Sequence, residues 1–260
     1  AAVLPIAILP LAALVMTSFV PAIGVPFALD SAGLDQYRRV LDNAAVMRAL
    51  RNSLILSALA AALCLIVALP LAYLTARRPS PALTLLDLTA ETPWVVPGTV
   101  VALAMILAFL PPLPLIGVSL YGTGAIILIA YLARFLPLVL RPVAAAAASG
   151  DPAQDEAARI AGIALPRRLT RIFAPSVAPA ALAGAMLILM TALNELTLSA
   201  LLWSSGHETI GVMVFALQYE GNSTAAAALS VLSTLLLIAL CALAELLLRG
   251  RGAGALPWRA

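Results

Sequence analysis

The 260-residue chain contains no lysine, one histidine, two cysteines and little charge of either sign. Each scarcity excludes chemistry. All 15 basic residues are arginine, so there is no Lys for a Walker A phosphate loop or for a Schiff base. The chain is therefore not a P-loop ATPase. With His207 alone, no multi-histidine metal cage can form. Cys64 and Cys241 each sit in an apolar run and read as small hydrophobic side chains, not as a disulfide or a metal pair. Intramembrane serine-protease chemistry needs a Gly-x-Ser-x-Gly-like nucleophile with a partner His, and metalloprotease chemistry needs His-Glu-x-x-His. Neither motif occurs, and no cofactor is expected.

Charged residues make up 10% of the chain, hydrophobic residues 63%, and the mean hydropathy is +1.07. Soluble domains carry about 25% charged residues. This composition cannot cover a water-facing surface, so most of the chain uses lipid as its solvent. The net charge of +3 and pI near 9.2 do not point to nucleic acid, because the arginines flank apolar spans.

Crossing a bilayer takes ~20 apolar helical residues. Ala1–Leu29 is long enough, has no basic n-region and does not read as a signal peptide. Further spans are expected at Ser53–Thr75, Trp94–Leu110, Thr123–Leu140, Ser176–Leu201 and Ala225–Leu247. The expected fold is an all-α, polytopic bundle of six transmembrane helices forming one domain over 1–260. The missing initiator Met suggests a cut domain or one half of a longer fused chain. Leu34, Val40, Leu41, Ala44 and Met47 recur at helical spacing, predicting an amphipathic surface helix over Leu34–Leu50.

Arg77, Arg78, Arg141, Arg159, Arg167, Arg168, Arg171, Arg249, Arg251 and Arg259 all fall on one side of the spans. By the positive-inside rule that side is cytoplasmic, with both ends of the chain on it. On the other side, Arg38, Arg39, Arg48 and Arg51 are offset by Asp30, Asp35 and Asp42. The last external loop holds His207, Glu208 and Glu220, read individually as solvated and collectively as a docking surface.

The loop from Ser149 to Pro175 is the most informative. Asp151, Pro152 and Gln154 predict a capped helix start. Ala153, Ala157, Ile160 and Ala161 then share one face of small residues, and Gly162 stops the helix. A second short helix restarts at Pro166 and ties this one to the fifth span.

These residues resemble a known family. Glu156-Ala157-Ala158, Gly162, then Ile172-Phe173-Ala174-Pro175 match the EAA loop of the inner-membrane permeases of binding-protein-dependent ABC importers, type I. Ala174 departs from the Leu of that pattern. Asn52-Ser53, Pro97-Gly98 and Asn194-Glu195 look like family features too. The resemblance implies that Glu156 contacts a separate ATPase, Ala157 and Ala158 pack into its cleft, and Gly162 makes the turn, with Ile160, Ile172 and Pro175 completing the loop. It also implies ABC ATPase subunits, a second permease half or subunit and a periplasmic solute-binding protein as partners, in a bacterial inner membrane. Asn194–Leu201, Trp203, Glu208–Gly211 and Asn222–Thr224 look most like ferric-iron permeases. Polyamine, sulfate, thiamine and phosphonate permeases share the loop. A secondary transporter would need no such loop.

Glu195 and Arg134 fall inside spans, where a charge costs at least ~2.5–3.5 kcal/mol on insertion scales and needs a partner or water. Both lie ~10–15 Å from the outer surface and could pair across the bundle. A structural ion pair and a gate or pathway lining, with Asn194 beside it, both remain open.

Overall fold

The computed structural model describes residues 3–25, 32–114 and 117–248. Asp30, Arg249, Arg251 and Arg259 lie outside them. The described residues form helices without strands: α1 (Val3–Phe19), α2 (Asp35–Asp42), α3 (Ala44–Arg77), α4 (Pro81–Val95), α5 (Gly98–Phe109), α6 (Gly124–Ser149), α7 (Ala153–Ile160), α8 (Leu165–Arg168), a π-helical turn (Leu169–Phe173), α9 (Ala174–Ser176), α10 (Ala178–Leu193), α11 (Ser199–Leu202), α12 (Ile210–Tyr219) and α13 (Ser223–Leu248).

The centre is built by α3, α6 and α10. Small residues let them approach closely, as packing without a water-driven hydrophobic force requires. Ala60, Ala61, Cys64, Ala68 and Ala72 of α3 are buried against this core. A Cβ on Gly184 of α10 would sit 2.6 Å from Val139 Cα of α6, so the two backbones touch there. Tyr131, Phe135, Ile126, Ile127 and Leu140 of α6 fill the remaining space. Cys64 is buried and Cys241 half-buried, both as free thiols.

The six expected spans, with Pro and Gly breaks inside them, differ from the structure in their bounds and in how far the breaks go. Three helices are long and apolar enough to cross: 44–77, 124–149 and 223–246. Two bent helix pairs, 81–95 with 98–109 at 114° and 165–176 with 178–193 at 79°, are each apolar enough to form a broken span or a re-entrant loop. The break expected to lie inside a span at Trp94–Leu110 therefore separates two helices. Its cause is local. Pro97 forces Val96 into an extended conformation (φ −75°, ψ 139°) and ends α4. The expected Ser176–Leu201 span stops at Leu193, because Asn194 leaves helical geometry. The first apolar stretch is helical only to Phe19 among the described residues.

The expected surface helix over Leu34–Leu50 is two elements. Asn43 is extended, and its side chain accepts hydrogen bonds from the N–H groups of Ala45 (2.9 Å) and Val46 (3.4 Å). It thus caps the long α3. Val40 is buried, whereas Leu34, Leu41 and Met47 are exposed.

A candidate docking loop locked to the bundle

Helix α7 presents two unlike faces. Ala153, Glu156, Ala157, Ile160 and Ala161 are exposed, Ile160 by 87%. Asp155 and Ala158, three residues apart, are buried against the bundle. Ala158 therefore packs inward, which corrects its expected place on the free face beside Ala157. The helix start also differs from expectation. Asp151 accepts from the Ala153 N–H at 2.9 Å, an Asx turn in place of a capping box. At the other end Gly162 has φ +74°. Its N–H meets Arg159 O (3.1 Å) and the Ile163 N–H meets Ala158 O (3.0 Å). This is a Schellman stop, and it needs a residue tolerant of positive φ. Ile172 is half-buried and Pro175 exposed.

Behind the free face lies a buried knot of three side chains that sequence reasoning missed. Asp155 accepts from Tyr73 Oη (3.1 and 2.9 Å) and from Arg168 Nε (3.0 Å) and Nη2 (3.2 Å). Arg168 Nη2 also donates to Tyr73 Oη. Tyr73 is 1% exposed, Arg168 4% and Asp155 8%. Burial alone would raise the Asp155 carboxyl pKa. The hydrogen bonds from Arg168 and Tyr73, and the Arg168 and Arg77 charges, outweigh burial and hold it below its ordinary value of 3.8. Phe173 closes the knot, edge-on to Tyr73 at 5.1 Å. The missed signal was Asp155 itself, an acid one residue before Glu156 and on the opposite side of the helix.

Of the two readings left open for Arg134 and Glu195, the structure shows no ion pair between them. Each instead caps a broken helix. Arg134 Nη1 donates to Val96 O (2.7 Å) and Pro93 O (3.4 Å) at the C-terminus of α4, and its guanidinium lies 5.8 Å from the Trp94 ring. Glu195 is buried and accepts from the N–H groups of Leu198 (2.9 and 3.1 Å) and Ser199 (3.1 Å) and from Thr197 Oγ1 (2.5 Å). A cation thus meets orphan carbonyls and an anion meets orphan N–H groups. Thr197 packs on Gly98, where any Cβ would collide with it. The two breaks therefore touch. Asn194, exposed, accepts from Ser233 Oγ and lines an open cleft of about 670 Å³ with Gln218, Ser230 and Thr234.

At the other end of α3 the last loop is not solvated as expected. Glu208 is buried, and Ile210–Tyr219 is helical. Asn52 Nδ2 donates to Gly206 O and Glu208 O, both at 3.0 Å, and Ser53 Oγ accepts from the Ile210 N–H at 2.9 Å. Glu208 accepts from the Gly206 N–H (3.0 Å) and from Arg48 Nη2 (3.4 Å). Burial pushes its carboxyl pKa up, but these donors win and hold it below 4.5. His207 is half-buried and Glu220 exposed.

The family model for the binding-protein-dependent transport system inner membrane component matches residues 68–250. An ABC transporter permease protein of Sinorhizobium fredii is 33% identical over 250 residues, 94% of this chain and 44% of that protein. A 2-aminoethylphosphonate transport system permease protein of Salmonella typhimurium is 29% identical, over 82% of this chain and 79% of its own. An Fe(3+)-transport system permease protein of Haemophilus influenzae is 28% identical, over 76% of this chain and 39% of its own. The chain thus spans less than half the length of two of these relatives. A bacterial ABC transporter that imports the polysaccharide alginate has the same fold, with TM-score 0.73 at 19% identity over 92% of this chain and 88% of that one. The chain belongs to the family of inner membrane components of binding-protein-dependent transport systems, and its apolar helices make it a multi-pass membrane protein.

Proposed function

We propose that this chain carries solute across the inner membrane by alternating access, driven by a separate ATPase that docks on α7. The observation that supports this most directly is the free face of α7. It presents Glu156, Ala157 and an 87% exposed Ile160, on a helix whose opposite face is locked by Asp155. An exposed apolar side chain on a rigidly held helix is suited to a partner's groove. ATP can bias the two states only by as much as it favours one of them, so a firmly held contact is what such a motor needs. In this reading α7 lies in the cytoplasm with the arginine-rich loops, and both chain ends face that side. An external binding protein delivers solute near the opposite end, and a second permease half or subunit completes the pathway. The relative of which this chain spans 44% supports a fused second half. Asn194 and the cleft beside it line the pathway, with Arg134 and Glu195 holding the broken helices next to it.

Ferric iron as the cargo is supported by the resemblance of Asn194–Leu201 and the Glu208–Gly211 segment, and by the iron-transport relative. A second reading is a phosphonate, favoured by the aminoethylphosphonate permease matched over 79% of its length. The test is ATPase stimulation in proteoliposomes by binding proteins loaded with Fe(3+) or with 2-aminoethylphosphonate. Stimulation by only one assigns the cargo. If Glu156→Lys and Gly162→Pro both leave ATPase association and uptake intact, the docking assignment is wrong.

A further inference from the structure

Four routes lead from α7 into the bundle, and they are not equally stiff. Toward α6 the link is the non-helical Gly150-Asp151-Pro152, with Gly150 extended at φ −78° and ψ 146°. Among the described residues no side-chain hydrogen bond joins α6 to α7. Toward α10 the chain passes Gly162 at positive φ, then a π-helical turn, then a 79° bend at Val177. Helix α10 itself stops at Leu193. A π turn and a sharp bend both interrupt the regular hydrogen-bond ladder, so this route is not one continuous helix. Toward α8 the tie is Arg168, whose element leads straight into that same bend. Toward α3 the tie is Asp155 to Tyr73, sealed from solvent and reinforced by Arg168.

Helix α3 differs from the other candidates in what lies at its far end. It runs unbroken from Ala44 to Arg77, through Pro70. Tyr73 and Ser53 are separated by roughly 30 Å of helix at 1.5 Å rise per residue. Asn52 and Ser53 hold the 206–210 segment by hydrogen bonds to Gly206, Glu208 and Ile210. That segment opens α12, which lines the open cleft through Ile210, Gly211 and Gln218. One helix therefore has side-chain pins at both ends, one on the coupling helix and one on the loop at the opposite end.

We propose that α3 is the element that transmits movement of α7 to the 206–210 segment, with Tyr73 and Asp155 as positioning residues at the inner pin and Asn52 and Ser53 at the outer one. This rests on the reading of α7 as the ATPase dock. Rigid secondary structure pinned at two sites is a physical carrier of coupling, whereas spatial intermediacy alone is not. Tyr73→Phe removes one hydroxyl from the inner pin, and Asp155→Asn weakens the same pin by removing its charge. Both leave the exposed face of α7 unaltered.

The test uses the full-length protein, tagged and purified from membranes of its own source with the ATPase that accompanies it. Ser205, exposed in the outer segment, is replaced by Cys and reacted with a membrane-impermeant maleimide, with and without ATP plus vanadate. The parent chain lacking Ser205→Cys supplies the background from Cys64 and Cys241. The labelling rate at 205 changes with nucleotide in the parent reporter. Tyr73→Phe and Asp155→Asn each reduce that nucleotide effect by about fivefold or more, the lower range of allosteric couplings. Their ATPase association is unchanged, and Asp155→Glu retains part of the effect. Ser53→Ala, at the far end, produces the same loss. A nucleotide effect of parent size in Tyr73→Phe and Asp155→Asn overturns the proposal, as does its absence from the parent reporter. Failure of any ATPase to accompany the parent protein instead overturns the docking reading beneath it.

Discussion

The two ends of α3 are held by different physics. At the inner end, Asp155 meets Arg168 at 3.0 Å with side chains only 11% and 5% exposed. At the outer end, Glu208 meets Arg48 at 3.4 Å, and that arginine is 42% exposed. The inner tie is a desolvated ion pair, and truncating one charged partner leaves the other buried and unpaired, which is costly. The outer tie rests mainly on backbone groups of Gly206, Glu208 and Ile210, and its ion pair is screened by water. The contrast predicts a brittle inner pin and a tolerant outer one.

The largest effect is therefore expected from Arg168→Ala, which strands Asp155 and should lower stability by about 3–5 kcal/mol. Thermal unfolding of the purified chain in detergent reads it. A loss below that of any outer-end variant would reverse the comparison. Asn52→Ala is next, at about 1–2 kcal/mol for two lost hydrogen bonds to carbonyls. Arg48→Ala should cost no more than about 1 kcal/mol, and added salt should shrink the difference further. Ile160→Ser, on the exposed face, should stay within about 0.5 kcal/mol while weakening capture of the ATPase.

Acid provides an independent comparison. Asp155 and Glu208 both have folded pKa values below their ordinary 3.8 and 4.5. Each depressed carboxyl contributes stability that is present above the unfolded value and is lost as pH falls through the folded one. Melting temperature should thus be level above pH ~5 and decline below it. Asp155→Asn should flatten part of that decline. An unchanged profile in this variant would remove Asp155 as a contributor.

Much of α7 was legible because its signals are local. Gly162 supplies a positive φ whatever surrounds it, and a run with Ala153, Ala157 and Ile160 at helical spacing has a readable face. The knot beneath it was not legible. Tyr73 lies 82 residues from Asp155, and no spacing rule links them. The same limit explains the intramembrane charges. Similar depth allowed Arg134 and Glu195 to meet, but depth does not show that helices end beside each. Once α4 stops at Val95 and α10 at Leu193, orphan backbone groups become nearer partners than the opposite charge. Helix α12 was missed because a 10-residue apolar helix is too short to read as a span.

From the sequence alone come the membrane solvent, the helical class, the absence of a P-loop and the EAA loop with its glycine stop. These follow from composition and from contacts within a few residues. Tertiary structure alone decided which face of α7 is free, where spans break, and what each buried charge touches. Those outcomes depend on which distant groups close packing brings within hydrogen-bonding range, and in a dry interior every polar group must take the partner that packing supplies.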